Sequence, residues 1–416
     1  MPAPPSPSGP VATTWAALGV LGLCFVLNAL ARGAGETYAV FLLPIGAETG
    51  WDRADLTAVY SVYMLASGLA SPFVGLAFDR FGGRVLYGFG LVALGGGYLL
   101  AGRIEAQWQL VVCVGVFGGL GIASLGMIPG SILISRWFDR RMATAMAIAS
   151  AGLGTGTLVL APLAQLLIDG VGWRAGYAWI GGTILALALP VVLLPWRSIT
   201  SGVVARVPIG RDVPAGSLAR AVRSRPFWAL FAVFFATSVA VYGVSLQTVA
   251  YLVEQGFPPL KAAGAFGFAG MLSIVGMLVT GTAADRFGNR VIATVSYLCT
   301  LIGILALFLV QLHPGFALVV VFVLFFGSSM GARGPIISTL STTLFAGRGI
   351  GAIYGTITTG QGLGAAAGTW FAGVLHDATG GYEAGFITSS AFILFAILLF
   401  WVVPELSARR AKPAAS

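Results

Sequence analysis

Residues 75–84 read GLAFDRFGGR and residues 281–290 read GTAADRFGNR, each wedged between two apolar runs. The two copies lie 206 residues apart. Further on, Gly152, Gly154, Gly156 and Asp169 recur as Gly360, Gly362, Gly364 and Asp377 at a shift of 208, and the RAGY run at 174–177 is echoed by EAGF at 383–386. Similarity at one long period is the mark of a duplicated unit. Here the unit holds six apolar runs. Six is even, so both copies enter the membrane in the same sense, as two parallel halves with a pathway between them.

The runs flanking these stretches have the length of membrane spans, which need about 20 apolar residues. They fall at 14–44, 54–77, 84–102, 108–135, 142–168 and 174–196, and again at 227–254, 262–284, 291–311, 316–344, 350–376 and 385–404. The predicted fold is an all-α membrane protein of twelve transmembrane helices in two parallel-repeat six-helix bundles. Its parts are an N-terminal tail (1–13), a first bundle (14–196), a basic linker (197–226), a second bundle (227–404) and a C-terminal tail (405–416). The chain is 57% apolar and only 9% charged, with mean hydropathy +0.93. A soluble domain carries roughly 25% charged residues, so most of this surface faces lipid. The 59 glycines sit mainly inside apolar runs, where they let helix backbones approach closely.

Charge placement tests the span count. With both termini on the cytoplasmic side, 17 of the 23 lysines and arginines fall in cytoplasmic segments and only Arg53, Arg103, Arg174 and Lys261 fall outside. The outer loops instead hold acids, among them Glu48, Asp52, Asp55 and Asp377. This is the positive-inside pattern, and one missed helix would scramble it. It also accounts for the net charge of +9 without nucleic acid as a partner. The expected setting is the inner membrane of the cell, multi-pass, with the lipid bilayer as partner and a monomeric chain. Cys24, Cys113 and Cys299 each lie within an apolar run at no short spacing, so neither a metal site nor a disulfide framework is expected.

The paired G-x-x-x-D-R-x-G-x-R segments resemble the signature of the major facilitator superfamily in its second cytoplasmic loop, with its fainter copy after the eighth span. The resemblance extends over essentially the whole chain. Within that superfamily, YAVFLLP at 38–44, GWDRADL at 50–56, RWFDRR at 136–141 and RGPIISTL at 333–340 are similar to the monocarboxylate-porter branch and its bacterial members. The resemblance implies a gating role for Asp79, Arg80 and Arg84, and for Asp285, Arg286 and Arg290. Their contacts would hold the cytoplasmic side closed in one state and part in the other. A purely topological role is the alternative. Animal monocarboxylate carriers place an Asp and an Arg one turn apart in the eighth span. Ala262–Ala284 has no such charges, so that site does not carry over.

Three charges break the apolar pattern. An ionisable side chain at the bilayer centre costs at least ~2.5–3.5 kcal/mol on insertion scales, so each needs a partner, a wet cavity or a task. Arg32 and Glu36 lie in the first span with Asn28 one turn before, four apart and so on one helix face. One reading is a self-neutralised ion pair that packs the bundle. The other places the stripe on a central cavity, where burial penalises the Glu36 carboxylate and Arg32 supports it, so that the pair exchanges a proton. Arg333 has no acid in its span. It is read either as a two-pronged anchor for a substrate anion or as the partner of Glu36 across the halves. The following Gly334-Pro335 loosens its helix and frees backbone carbonyls. Tyr242, Gln247, Tyr354 and Gln361 are the further candidates for a cavity lining, with Tyr60, Tyr63, Gln165 and Tyr251 behind them.

No nucleotide loop, metal cluster or nucleophile–base pair is legible, so no enzyme and no cofactor is expected. The reading is a secondary carrier of a small-molecule substrate, a small organic anion of the monocarboxylate type, coupled to protons. The alternative is a carrier of an amphipathic or uncharged compound.

Overall fold

The computed structural model describes residues 10–138, 142–201, 217–345 and 350–407. Much of the linker, and the ends of both predicted tails, lie outside the described residues. So do Asp139, Arg140 and Arg141 of the 136–141 stretch and the side chain of Asp285. Among the described residues there is no strand. Ten long helical stretches carry the fold. They are α1 (Trp15–Thr49), α2 (Arg53–Ala101), α3 (Gln107–Trp137), α4 (Thr144–Leu193), α5 (Arg225–Glu254), α6 (Pro259–Ala284), α7 (Asn289–Val310), α8 (Phe316–Ser341), α9 (Ile350–Thr379) and α10 (Glu383–Val402).

Two of these stretches are each two spans. Backbone runs unbroken from α2's first helix into its second except at Gly82, where φ is 79° and ψ 167°. The same happens in α4 at Gly172, with φ 80° and ψ 162°. Those angles are open to glycine and strained for residues with a Cβ, so the chain reverses there without a loop. Counted this way, the ten stretches make twelve spans. The duplication is written into the backbone as well. Every positive-φ residue described is a glycine, and they pair as Gly50 with Gly256, Gly82 with Gly288, and Gly172 with Gly380. The π-helical segments pair too, Val111–Gly118 in α3 with Val323–Gly327 in α8.

Packing follows the small residues. α1 lies along the first part of α4, where a Cβ on Gly156 would be driven into the Ala29 carbonyl and one on Gly152 into that of Phe25. α5 packs on α9 in the same way through Gly364 and Gly368, which sit against the backbone of Phe235 and Val239. Between the halves, α2 meets α9 and α4 meets α6. Gly68 faces Gly362, and Gly154 faces the Gly270 carbonyl. Lipid tails are as apolar as leucine, so helix association rests on such close backbone contact rather than on hydrophobic burial. The outer surface is accordingly apolar, with Trp15, Phe73, Leu76, Trp179, Ile387 and Trp401 exposed.

Candidate functional site

A cavity of about 540 Å³ lies between the halves. Its charged lining residues are Arg32 and Glu36 from α1 and Arg333 from α8, with Tyr242 of α5 and Gln361 of α9 beside them. The breaks that expose these groups are local. Pro335 has no N–H to give to the carbonyl one turn before it, and the helix of α8 stops at Met330 and restarts at Arg333. The break thus sits just ahead of Arg333 rather than at Gly334-Pro335, and it leaves the Met330 carbonyl free for a side chain. α3 breaks in the corresponding place at Gly126, whose ψ of −160° is extended.

Arg32 and Glu36 form an ion pair of 2.6 Å. Glu36 is buried, while Arg32 is half-buried on the cavity wall. Arg32 Nη1 also donates to the Tyr242 hydroxyl at 3.3 Å, a bond from one half to the other. Arg333 is buried. Its Nη1 donates to the Thr237 carbonyl at 3.1 Å and weakly to Ser238 Oγ at 3.4 Å, and its Nη2 donates to the Met330 carbonyl at 3.2 Å. Among the described residues, no carboxylate pairs with Arg333. The cross-half pairing with Glu36 is not formed, because Glu36 is taken by Arg32. The Tyr242 ring stands between the two arginines, each guanidinium carbon 5.7 Å from its centroid.

Other sequence-predicted residues are elsewhere. Asn28 is fully buried and does not line the cavity. Its amide nitrogen is spent on the Met127 thioether at 3.2 Å and the Ala149 carbonyl at 3.3 Å. The four-residue stripe therefore divides, with Asn28 packing α1 onto α3 and α4 while Arg32 and Glu36 face the cavity. Gln247 is buried without a hydrogen-bond partner among the described residues. Tyr354 is half-buried in packing at the other end of α9. Asp79, Arg80, Arg84 and Arg286 are exposed, and no ion pair among the described residues includes them. Arg80 packs over Phe81 at 5.4 Å, and Arg290 packs over Trp401 at 3.8 Å.

The contacts that do close the halves are at the opposite end from the chain termini. Arg53 of α2 pairs with Glu254 of α5 at 2.5 Å and donates to the Tyr382 hydroxyl at 3.0 Å. Tyr382 in turn donates to Glu254 Oε2 at 2.8 Å. Burial pushes the Tyr382 phenol up, which keeps it a donor. Asp377 of α9 accepts the backbone N–H of Arg53 at 3.2 Å and of Ala54 at 2.6 Å. Two turns deeper, Ser61 and Thr369 share a hydrogen bond of 2.7 Å. Sequence reasoning treated Arg53 and Asp377 only as loop charges and did not single out Glu254, Tyr382, Ser61 or Thr369. The signal available was the GWDRADL run at the start of α2 and the acid repeated as Asp169 and Asp377.

The family model described as Major Facilitator Superfamily matches residues 21–369 and 284–416. Monocarboxylate transporter 13 of Bos taurus is 28% identical over 377 residues, covering 89% of this chain and 85% of that protein. Monocarboxylate transporter 3 of Rattus norvegicus is 29% identical over 385 residues, covering 91% and 77%. The uncharacterized MFS-type transporter YcxA of Bacillus subtilis (strain 168) is 24% identical over 413 residues, covering 94% and 96%. Among solved structures, a bacterial homolog of the human lysosomal transporter Spinster, inward-facing and unoccupied, superposes with a TM-score of 0.72 at 14% identity, covering 96% of this chain and 98% of that one. The likeness to that structure carries the fold, twelve helices in two repeated halves. With the family model matched across nearly all of its length, the chain belongs to the major facilitator superfamily, as a membrane transporter that resembles the monocarboxylate branch.

Proposed function

We propose that this transporter moves a small organic anion, a monocarboxylate, together with a proton, by alternating access of the halves 14–196 and 227–404 around the cavity. The observation that carries the reading is Arg333, a buried guanidinium on the cavity wall with no carboxylate partner among the described residues. A buried charge held only by carbonyls and hydroxyls is incompletely compensated, and a guanidinium binds a carboxylate through two parallel hydrogen bonds. The mammalian relatives, named as monocarboxylate transporters, support the same substrate class.

Charge balance supports proton coupling. With Glu36 ionised, the charged lining residues Arg32, Glu36 and Arg333 leave one net positive charge, which one monovalent anion cancels. A proton on Glu36 frees Arg32 and doubles the net positive charge, so proton and anion each favour the other's binding. The empty carrier and the carrier loaded with both have the same net charge. Half-loaded states differ from them, which is a physical reason for the two to travel together. The termini-bearing side is proposed to be cytoplasmic in the inner membrane. Asp79, Arg80, Arg84, Asp285, Arg286 and Arg290 are proposed to close that side in the alternate state. A monomer suffices, because both halves and the cavity belong to one chain.

The test is uptake into proteoliposomes driven by an inward proton gradient, with benzoate as probe. Uptake is expected in the wild type and lost in Arg333→Ala. A second reading, a neutral amphipathic cargo, is favoured by the apolar part of the cavity wall. It wins if benzamide is bound as well as benzoate.

A further inference from the structure

The cavity wall has two chemically distinct parts. Arg32, Glu36, Tyr242 and Arg333 form its charged and phenolic part. Much of the rest is formed by Met127, Leu153, Phe266, Ile274, Met277 and Met330. No charged residue lies among those remaining lining residues.

Four of the five serine and threonine hydroxyls on the wall donate within their own helices. Ser71 donates to the Ser67 carbonyl at 2.8 Å and Ser150 to that of Met146 at 2.8 Å. Ser273 donates to the Gly270 carbonyl at 2.6 Å and Thr157 to that of Leu153 at 3.3 Å. Each has one proton, and each spends it on its own helix. A substrate rich in hydroxyls therefore meets few free donors on this wall. The methionines are of the opposite kind. Thioethers are polarizable, contact aromatic faces favourably and adapt to irregular shapes. Met127 is also fixed in place, since its sulfur accepts Asn28 Nδ2 at 3.2 Å and faces Ser150 Oγ at 3.7 Å.

Size points the same way. A cavity of about 540 Å³ falls within the range of about 300–1,000 Å³ that accommodates drug-sized ligands. A three-carbon hydroxy acid anchored on Arg333 would leave the methionine wall facing water.

We infer that the preferred cargo is a monocarboxylate with an apolar, aromatic-sized tail, the carboxylate on Arg333 and the tail along Met127, Met277 and Met330. This rests on the reading of Arg333 as the anion anchor. It makes those three methionines specificity-determining, and it sets short hydroxylated acids apart as poor substrates.

The experiment is calorimetric binding to purified full-length protein in detergent, with lactate, benzoate, indole-3-acetate and indole-3-acetamide as probes. Indole-3-acetate is expected to bind at least about tenfold tighter than lactate, the order of gain from burying an aryl ring. Indole-3-acetamide is expected to fail. In Met277→Ser the preference for indole-3-acetate over lactate is expected to fall several-fold with lactate binding unchanged, and Met277→Leu is expected to restore it. That rescue separates a wall effect from misfolding. Equal affinity for lactate and indole-3-acetate overturns the inference and leaves the anion anchor standing. Equal affinity for the acid and its amide overturns the anchor itself.

Discussion

Asp377 caps the N-terminus of α2, its Oδ2 accepting the Ala54 N–H at 2.6 Å, although the two residues belong to different halves of the molecule. The first backbone N–H groups of a helix have no partner within it and form its positive end. A carboxylate reaching them from the other half is thus a tie between rigid bodies. It is reinforced by the Arg53–Glu254 pair and by Tyr382, which touches both. Opening this end must break all of them at once.

Removing the tie is expected to shift the population of states. In Asp377→Ala, a cysteine placed at Ser61 should react with an impermeant thiol reagent about tenfold faster from the side opposite the termini. That is the lower end of what a charge-assisted hydrogen bond contributes, since Asp377 is partly exposed. Labelling at the wild-type rate would show that the cap does not hold the halves together.

Arg333→Lys keeps the charge and loses the planar fork. Binding of benzoate is expected to weaken by roughly 10–100-fold, read by calorimetry. Wild-type affinity in this variant would place the anion elsewhere.

Glu36→Gln removes the ionisable group and frees Arg32. Uptake driven by a proton gradient is expected to vanish, while exchange of labelled for unlabelled substrate across the membrane persists. A variant that still accumulates substrate against its gradient when protons are supplied would exclude Glu36 as the coupling residue.

Tyr242→Phe retains the ring between the two arginines and deletes the 3.3 Å bond from Arg32. A loss of about 0.5–1.5 kcal/mol, on the order of twofold to thirteenfold in substrate affinity, is expected. Tyr242→Ala, which also removes the ring, is expected to lose more by the same calorimetric measurement.

Gly156→Val tests the packing of α1 on α4. The new Cβ would be driven into the Ala29 carbonyl, and overpacking of this kind costs about 1–3 kcal/mol or more. A fall in the midpoint of thermal unfolding is expected, whereas Gly182→Ala, where a Cβ meets open space, should leave it unchanged.

Much of the fold was legible because its rules are local or periodic. Span length follows from bilayer thickness, and the orientation pattern follows from where arginines can rest. The duplication read from GLAFDRFGGR and GTAADRFGNR reappears in the paired glycine turns at Gly82 and Gly288. The three charges that broke the apolar pattern, Arg32, Glu36 and Arg333, do line one cavity. Asn28 was misplaced because one helix face at four-residue spacing is wide enough to touch two neighbours, and only packing decides which residue meets the cavity. Asp79, Arg80 and Arg84 of the 75–84 stretch are exposed, and on the proposed gating role they find partners only in the alternate state.

The sequence by itself determined twelve spans, their duplication and the short list of membrane-embedded charges, because the cost of a charge or an unpaired backbone group in lipid is paid residue by residue. The tertiary structure alone decided that Glu36 pairs with Arg32 rather than Arg333, that Tyr242 stands between the arginines, and that Asp377 reaches Ala54 from the other half. Those pairings join residues 4, 210 and 323 positions apart in the chain. The long-range partners are set by how the two bundles dock, which no local pattern encodes.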